Sequence, residues 1–364
     1  MSTSLLRRTG FEIELLAPPG RSRRTLALEL AHRCGGSVHP VWHHDTEPSL
    51  VPGLGQFRHL TQGFEVHRGT GELLCTLVDD VTLLADLDPL AGPTPGWHRI
   101  LTDDQRLLSL LAEHSDPGGT EHTALDAAAA LWKVEVERHG DVYRLGDSRG
   151  ATIALATPQG SERERPCEII TPPLATEHGL ALEELLGAAR ELGFTVPLEA
   201  AVHVHLDGAP FREAAALANV VRLFAHWRTT LRTVLQTNPA CRRLALLPVE
   251  LVEAVEGTPS YSDLQEAASA GGLTKFFDVN LTQLLTDTPF RDTIEVRILP
   301  GSLDTETILE NASLIELLLQ RCLDPAPLPS PPADPDAAEQ ELFLIAAAAQ
   351  LGAAPGGSAD PVIR

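Results

Sequence analysis

Lysine is nearly missing from this 364-residue chain; Lys133 and Lys275 are the only two. No G-x-x-x-x-G-K-[ST] string occurs, so a P-loop is excluded, and the lysine-dependent nucleotide clamp of an ATP-grasp ligase is disfavoured for the same reason. Aromatic residues make up 4% of the chain, which argues against a large stacking pocket for sugars or bases. The five cysteines (Cys34, Cys75, Cys167, Cys241 and Cys322) are odd in number, far apart and without a C-x-x-C pair. Neither a disulfide framework nor a zinc ribbon is suggested, and reduced thiols are expected. H-E-x-x-H is absent, so a zincin is unsupported. Nowhere do about 18 apolar residues run together, and no apolar stretch with a cleavage site follows Arg7 and Arg8, so a cytoplasmic protein is expected. Positive charge is scarce as well: 28 Lys and Arg stand against 50 Asp and Glu, a net charge of −22. Apart from Arg21, Arg23 and Arg24 no basic cluster offsets that field, which repels phosphodiester backbones and anionic lipid, so nucleic-acid and membrane partners are not expected.

With 43% apolar residues the chain can bury a sizeable core, as two domains or as one large α+β unit. Alternation of Phe11, Ile13 and Leu15 with Glu12 and Glu14 predicts a half-buried strand. A helix is expected over residues 21–34, closed by Gly35-Gly36. Residues 38–119, rich in Pro, Gly and His, give only a strand at 73–78 and a short helix at 103–113. Further on, helices are expected at 125–132, 180–192, 210–236, 249–256, 261–270 and 305–322. Strands are expected at 200–206, 276–281 and 293–299, with a hairpin through VYRLGDSRGATIAL and a short strand in CEIITPPL that Pro172-Pro173 stops. Residues 158–166 read as a polar loop. The division expected is a catalytic domain over 1–323, then over 324–364 a proline-rich linker and a helix at 337–351 that docks on the body.

Four of these strands carry polar groups that their apolar neighbours press toward one face: Glu12-x-Glu14, Glu168, His203-x-His205 and Glu295-x-Arg297. Residues two apart on a strand point the same way. Each pair alone is more often a plain solvent face. If the strands share a sheet, however, four carboxylates and two imidazoles converge, a donor set that suits Mg²⁺ or Mn²⁺. Other signals are weaker. GDSRG formally matches the serine-hydrolase elbow at Ser148, but strand-like ATIAL follows it, so a hairpin turn is expected there. His39, His43, His44 and Asp45 could form a second metal site, although substrate contact suits them better. GLGQFR at Gly53 lacks the third glycine of a dinucleotide fingerprint.

In wording and order, TGFEIEL, CEIITPPL, AVHVHLD, KFFDVNL and TIEVRILPGSLD resemble the amidoligases of the glutamine synthetase and carboxylate–amine ligase superfamily, over about residues 9–322. The resemblance implies an α+β fold, with a glutamine synthetase-like curved antiparallel sheet backed by helices, binding ATP and Mg²⁺ or Mn²⁺ on its concave face. It implies that Glu12, His203 and Glu295 hold the metal nearer the terminal phosphates and that Glu14 and Glu168 hold the one nearer the substrate carboxylate. His205 would lie against an ATP phosphate, Arg297 would neutralise the transferring phosphoryl group, and Lys275 and Asn280 would contact phosphate or substrate. The implied reaction is phosphoryl transfer to a carboxylate, then attack of an amine on the acyl phosphate. The partners implied are a small-molecule or peptide acid and an amine; the superfamily ranges from monomers to rings. Two other readings stand beside it: a metal-dependent hydrolase using the His/Glu cluster, and a non-catalytic nucleotide-binding protein of the same fold.

Overall fold

The computed structural model describes residues 5–48, 56–102, 104–241, 243–286, 289 and 291–352. The chain clusters into two compact units, the first made of Phe11–Pro172 and Leu182–Ala200, the second of the segment up to Gly10, Pro173–Ala181 and the chain from Ala201 onward. The fold is mixed α+β with antiparallel sheet in both units. Among the described residues, no helix is long and apolar enough to cross a membrane.

In the first unit nine strands form an open antiparallel sheet. They are β1 (Thr9–Leu16), β2 (Ser37–Pro48), β3 (Gln56–His67), β4 (Leu73–Val78), β5 (His98–Leu101), β6 (Val136–His139), β7 (Val142–Gly146), β8 (Thr152–Pro158) and β9 (Pro166–Ile170). Their order is β1-β9-β4-β3-β5-β8-β7-β6; β2 takes one whole edge of β3, and β4 and β5 follow one another along its other edge. Helix α1 (Arg23–Arg33) starts where Ser22 N donates to Thr25 Oγ1 and ends at Gly35, whose φ of +61° a side chain would resist. Helix α2 (Gln105–His114) is capped by Asp104, which accepts from Arg106 N and Leu107 N. Helix α3 (Asp126–Trp132) and α2 cover one sheet face, burying Leu60, Ile100, Leu108, Leu111, Ala128, Leu145, Ala154 and Ala156 together. Leu155 and Thr157 of β8 alternate with those alanines and stay half-buried on the other face. Helix α4 (His178–Glu191) follows β9.

The sequence shows no periodicity for β2 and β3, the longest strands of the unit. Prolines at 40 and 48 look like strand breakers, yet among the described residues β2 pairs only with β3. On an open edge the missing N–H costs no ladder bond. Ser148, as expected from ATIAL, lies in the turn between β7 and β8, where Asp147 accepts from Arg149 N and Ala151 N. It therefore stands between two strands, not at the strand-to-helix elbow a hydrolase nucleophile needs.

In the second unit β10 (Ala201–Asp207), β11 (Val279–Asn280) and β12 (Thr293–Pro300) form antiparallel pairs in the order β10-β12-β11. The single helix expected over 210–236 is instead a 3₁₀ turn (Ala209–Arg212), α5 (Ala214–His226) and α6 (Arg228–Val234). The break falls at Trp227, whose fully buried indole donates from Nε1 to Pro329 O at 2.7 Å. That hydrogen bond fixes the side chain, and no Gly or Pro marks the break. The strand expected over 276–281 shortens to β11 because Asp278 turns into the helical layer: Arg228 Nε lies 2.7 Å and Arg232 Nη1 3.0 Å from its carboxylate. Burial raises the Asp278 carboxyl above its ordinary value even against those two guanidinium groups.

Helices α7 (Val249–Ala254), α8 (Tyr261–Ala270) and α9 (Thr282–Leu285) precede α10 (Thr305–Cys322), against which α11 (Pro335–Gly352) packs, as it does against α6. The proline-rich stretch at 324–334 is fastened to α5 by one buried side chain. Asn219 Nδ2 donates to Asp324 O and Ala326 O, and its Oδ1 accepts from Leu328 N. Glu316 of α10 does the same for the N-terminal segment, accepting from Leu6 N at 2.8 Å and Arg7 N at 2.7 Å while only 2% exposed. Glu316→Gln presents an NH₂ group to one of those donors, so urea unfolding should show a loss on the order of 2 kcal/mol. An unchanged midpoint contradicts the role of that carboxylate.

Candidate functional site

In the first unit, Phe11, Ile13 and Leu15 of β1 and Cys167 and Ile169 of β9 are fully buried. Strand alternation therefore turns Glu12, Glu14 and Glu168 onto the opposite face. Glu14 stands directly opposite Glu168, and Glu12 opposite Ile170. A carboxylate oxygen of Glu12 lies within 4.8 Å of one of Glu168. Glu14 is 4% exposed, and the other two are half-buried. Two like charges at that spacing repel by about 3 kcal/mol at an effective dielectric constant near 20, a cost that a bound cation offsets.

In the second unit, Val204, Val296 and Ile294 are fully buried, which turns His203 and His205 of β10 and Glu295 and Arg297 of β12 to the other face. His205, Glu295 and Asn280 form one row across β10, β12 and β11. A ring nitrogen of His205 lies within 4.8 Å of a Glu295 carboxylate oxygen, and His203 Nδ1 is 3.7 Å from Glu295 Oε1. The register shifts between Val202 and Val204; that irregularity accommodates His203. Arg297 Nη1 contacts Glu295 Oε1 directly, and both residues are nearly buried. Asn280 Nδ2 donates to Glu295 Oε2 at 2.7 Å, while its Oδ1 accepts from Thr282 N and Oγ1. This pattern fixes the amide orientation and aims Glu295. Sequence reasoning did not foresee that positioning part for Asn280; its place two residues after Asp278 and two before Thr282 was the available signal.

Each expected residue but Lys275 thus joins one of two groups: Glu12, Glu14 and Glu168 in the first unit, and His203, His205, Asn280, Glu295 and Arg297 in the second. Lys275 stands apart in the segment before β11, its Nζ 5.6 Å from the centre of the Phe276 ring. The segment at 39–45 is split by the alternation of β2. His39, His43 and Asp45 face one way and His44 the other, and among the described residues no group of three His, Cys, Asp or Glu ligand atoms gathers there.

Carboxylates and imidazoles held this close on rigid strands can take hard divalent cations, with the arginine as fixed positive charge. None of the curated proteins matches the chain. A family model described as "Putative amidoligase enzyme" matches residues 6–319, from before β1 into α10. The match spans all twelve strands and every residue of the two groups, and on it the chain belongs to the amidoligase family.

Proposed function

We propose that this amidoligase is an ATP-dependent carboxylate–amine ligase of glutamine synthetase-like fold, forming an amide through an acyl phosphate in the cytoplasm. Its substrates are an amino acid, peptide or small amine on one side and a carboxylic acid on the other. The observation that supports this most is Glu14 facing Glu168 across β1 and β9, with Glu12 beside Glu168, on a face backed by fully buried apolar residues. Such a set costs stability unless cations neutralise it, and its all-carboxylate chemistry suits Mg²⁺ or Mn²⁺.

In this reading Glu12, Glu14 and Glu168 of the first unit are metal ligands, and so are His203 and Glu295 of the second. Bound metal supplies charge cancellation on the phosphoryl oxygens in a chain whose own field is negative. The chain's residues do the rest. His205 and Lys275 contact phosphate, Asn280 aims Glu295, and Arg297 faces the negative charge that builds on the transferring group. In-line positioning of acid and phosphoryl group lowers the barrier with no covalent step on the protein.

Purified full-length protein with ATP, Mg²⁺ and pooled amino acids should release ADP and phosphate only when an acid and an amine are both present. EDTA should abolish this, and added Mn²⁺ or Mg²⁺ should restore it. Hydrolytic activity without ATP would favour the metal-dependent hydrolase. Nucleotide binding with no turnover would favour the non-catalytic alternative.

A further inference from the structure

The face that carries Glu12, Glu14 and Glu168 continues through the first unit. Glu168 stands opposite Val78 of β4. A Cβ built on Gly63 of β3 would meet Leu77 O and Val78 Cγ1 at 3.1 Å and Val41 Cγ2 at 3.4 Å, so the glycine leaves room on this face for the two flanking valine side chains. One step along, Thr157, Arg99, Thr61 and His43 form a straight cross-strand row over β8, β5, β3 and β2.

Two members of that row have unmet polar atoms. Thr61 is fully buried and its hydroxyl has no hydrogen-bond partner among the described residues. The buried Nε of Arg99 has none either. Among the described residues the Arg99 guanidinium makes no hydrogen bond and no ion pair. Arg24, which is half-buried and likewise makes no hydrogen bond or ion pair among the described residues, lies over the Phe64 and Trp97 rings, and three other arginines of the unit are paired. Arg23 donates to Gln62 O and Arg163 O, Arg68 to both oxygens of Glu184, and Arg163 to Asp79. In a chain with 50 carboxylates, Arg99 is half-buried and, among the described residues, takes neither a carboxylate nor an aromatic ring, which leaves its fork for an anion from outside. His59, two residues from Thr61 on the same face, is pushed down to about 4, by burial first and then by the Arg99 charge, so it stays neutral at pH 7 and adds no competing cation. Asp45, directly opposite His59 on that face, has Oδ2 3.7 Å from His59 Nε2.

We propose that Arg99, with the Thr61 hydroxyl, binds a second carboxylate of the acid substrate, so that the acid this ligase activates is a dicarboxylate. The inference rests on the ligase reading above. Arg99 lies one strand and about two residues from Glu168, on the order of 8 Å between Cα atoms. An acid with a few carbons between its carboxyl groups could present one to the Glu14/Glu168 end and the other to the guanidinium fork, which matches a carboxylate bidentately. Thr61 supplies the hydroxyl that such an oxygen would otherwise take from water.

The test compares glutarate with butyrate, which differ only by a second carboxylate in place of one methyl hydrogen. Binding to the full-length protein with Mg²⁺ is read by calorimetry, and turnover is read with ATP and hydroxylamine as the amine. Wild type should bind glutarate at least tenfold tighter than butyrate. Arg99→Met should weaken glutarate about a hundredfold and leave butyrate and the KM for ATP unchanged. Arg99→Lys should recover part of the loss, and Thr61→Val should cost roughly fivefold. Should Arg99→Met not fold, the wild-type discrimination together with Arg99→Lys and Thr61→Val decides. Equal binding of the two acids, equal loss of both in the variants, or a change confined to ATP overturns the subsite. Arg99-dependent glutarate binding with no ATP-dependent turnover of any acid leaves the anion subsite standing and removes the ligase reading. Turnover of acids indifferent to Arg99 does the reverse.

Discussion

In the Glu12→Gln variant, ATP-dependent amide formation should fall by about a thousandfold, the scale seen when one preorganised electrostatic contact to a transition state is removed, while the fold survives. Glutamine keeps the volume of the side chain, and the register of β1 is set by Phe11, Ile13 and Leu15, all fully buried, and by the ladder to β9. What changes is one negative charge within 4.8 Å of the Glu168 carboxylate. An amide oxygen is a weaker ligand for a hard cation than a carboxylate. The variant should therefore lose most of the rise in Tm that Mn²⁺ or Mg²⁺ gives the wild type, with an unaltered far-UV circular dichroism spectrum. Activity above a tenth of wild type would remove Glu12 from the metal-binding set. A collapsed spectrum would make it structural.

Acid should destabilise the first unit steeply between pH 6.5 and 4, and two imidazoles account for it. His59 and His98 are 1% and 0% exposed, and each is pushed down to about 4 from its ordinary 6.5. Burial is the main cause in both; the charge of Arg99 adds to it at His59, and that of Arg24 adds to it at His98 against the opposing pull of Glu121. Neither ring nitrogen of His98 has a hydrogen-bond partner among the described residues, and the ring meets Trp42 edge-on at 5.4 Å. The sign follows from proton uptake. Above pH 6.5 both rings are neutral whether the chain is folded or not, and stability is complete. As pH falls toward 4 the unfolded chain binds protons that the folded one refuses, costing about 1.4 kcal/mol per pH unit and per ring, or roughly 3 kcal/mol each by pH 4. Two such losses are a large part of an ordinary folding free energy. Urea unfolding at pH 7, 6 and 5 measures them, and His98→Leu should halve the steepness. Parallel curves for wild type and variant would show that His98 titrates normally.

Much of the candidate site was legible along the chain, because strand alternation is a local property. In F-E-I-E-L, in A-V-H-V-H-L and in T-I-E-V-R-I-L, apolar residues at every second position commit one face to the core and leave the polar ones no other side. Burial of Phe11, Ile13, Val204 and Val296 bears that out. Helix α10 was expected over 305–322 and occupies those residues, with Asp304 as its cap in the structure. Where packing overrode the local pattern, sequence reasoning failed. β2 tolerates Pro40 and Pro48 only because its outer edge carries no ladder, α5 breaks at Trp227 for a hydrogen bond to distant Pro329, and β11 is cut short by the arginines that hold Asp278.

The sequence by itself determined which side chains face which way on β1, β9, β10 and β12 and, through the order of its motifs, the family. Both follow from period-two sterics and from strings of neighbouring residues. Only the tertiary structure decided which strands lie side by side: Glu14 against Glu168, Asn280 donating to Glu295, and Arg99 in line with Thr61. Pairing joins segments far apart in the chain, and its register is set by the burial of whole faces and by turns and bulges between strands, none of which a single segment encodes.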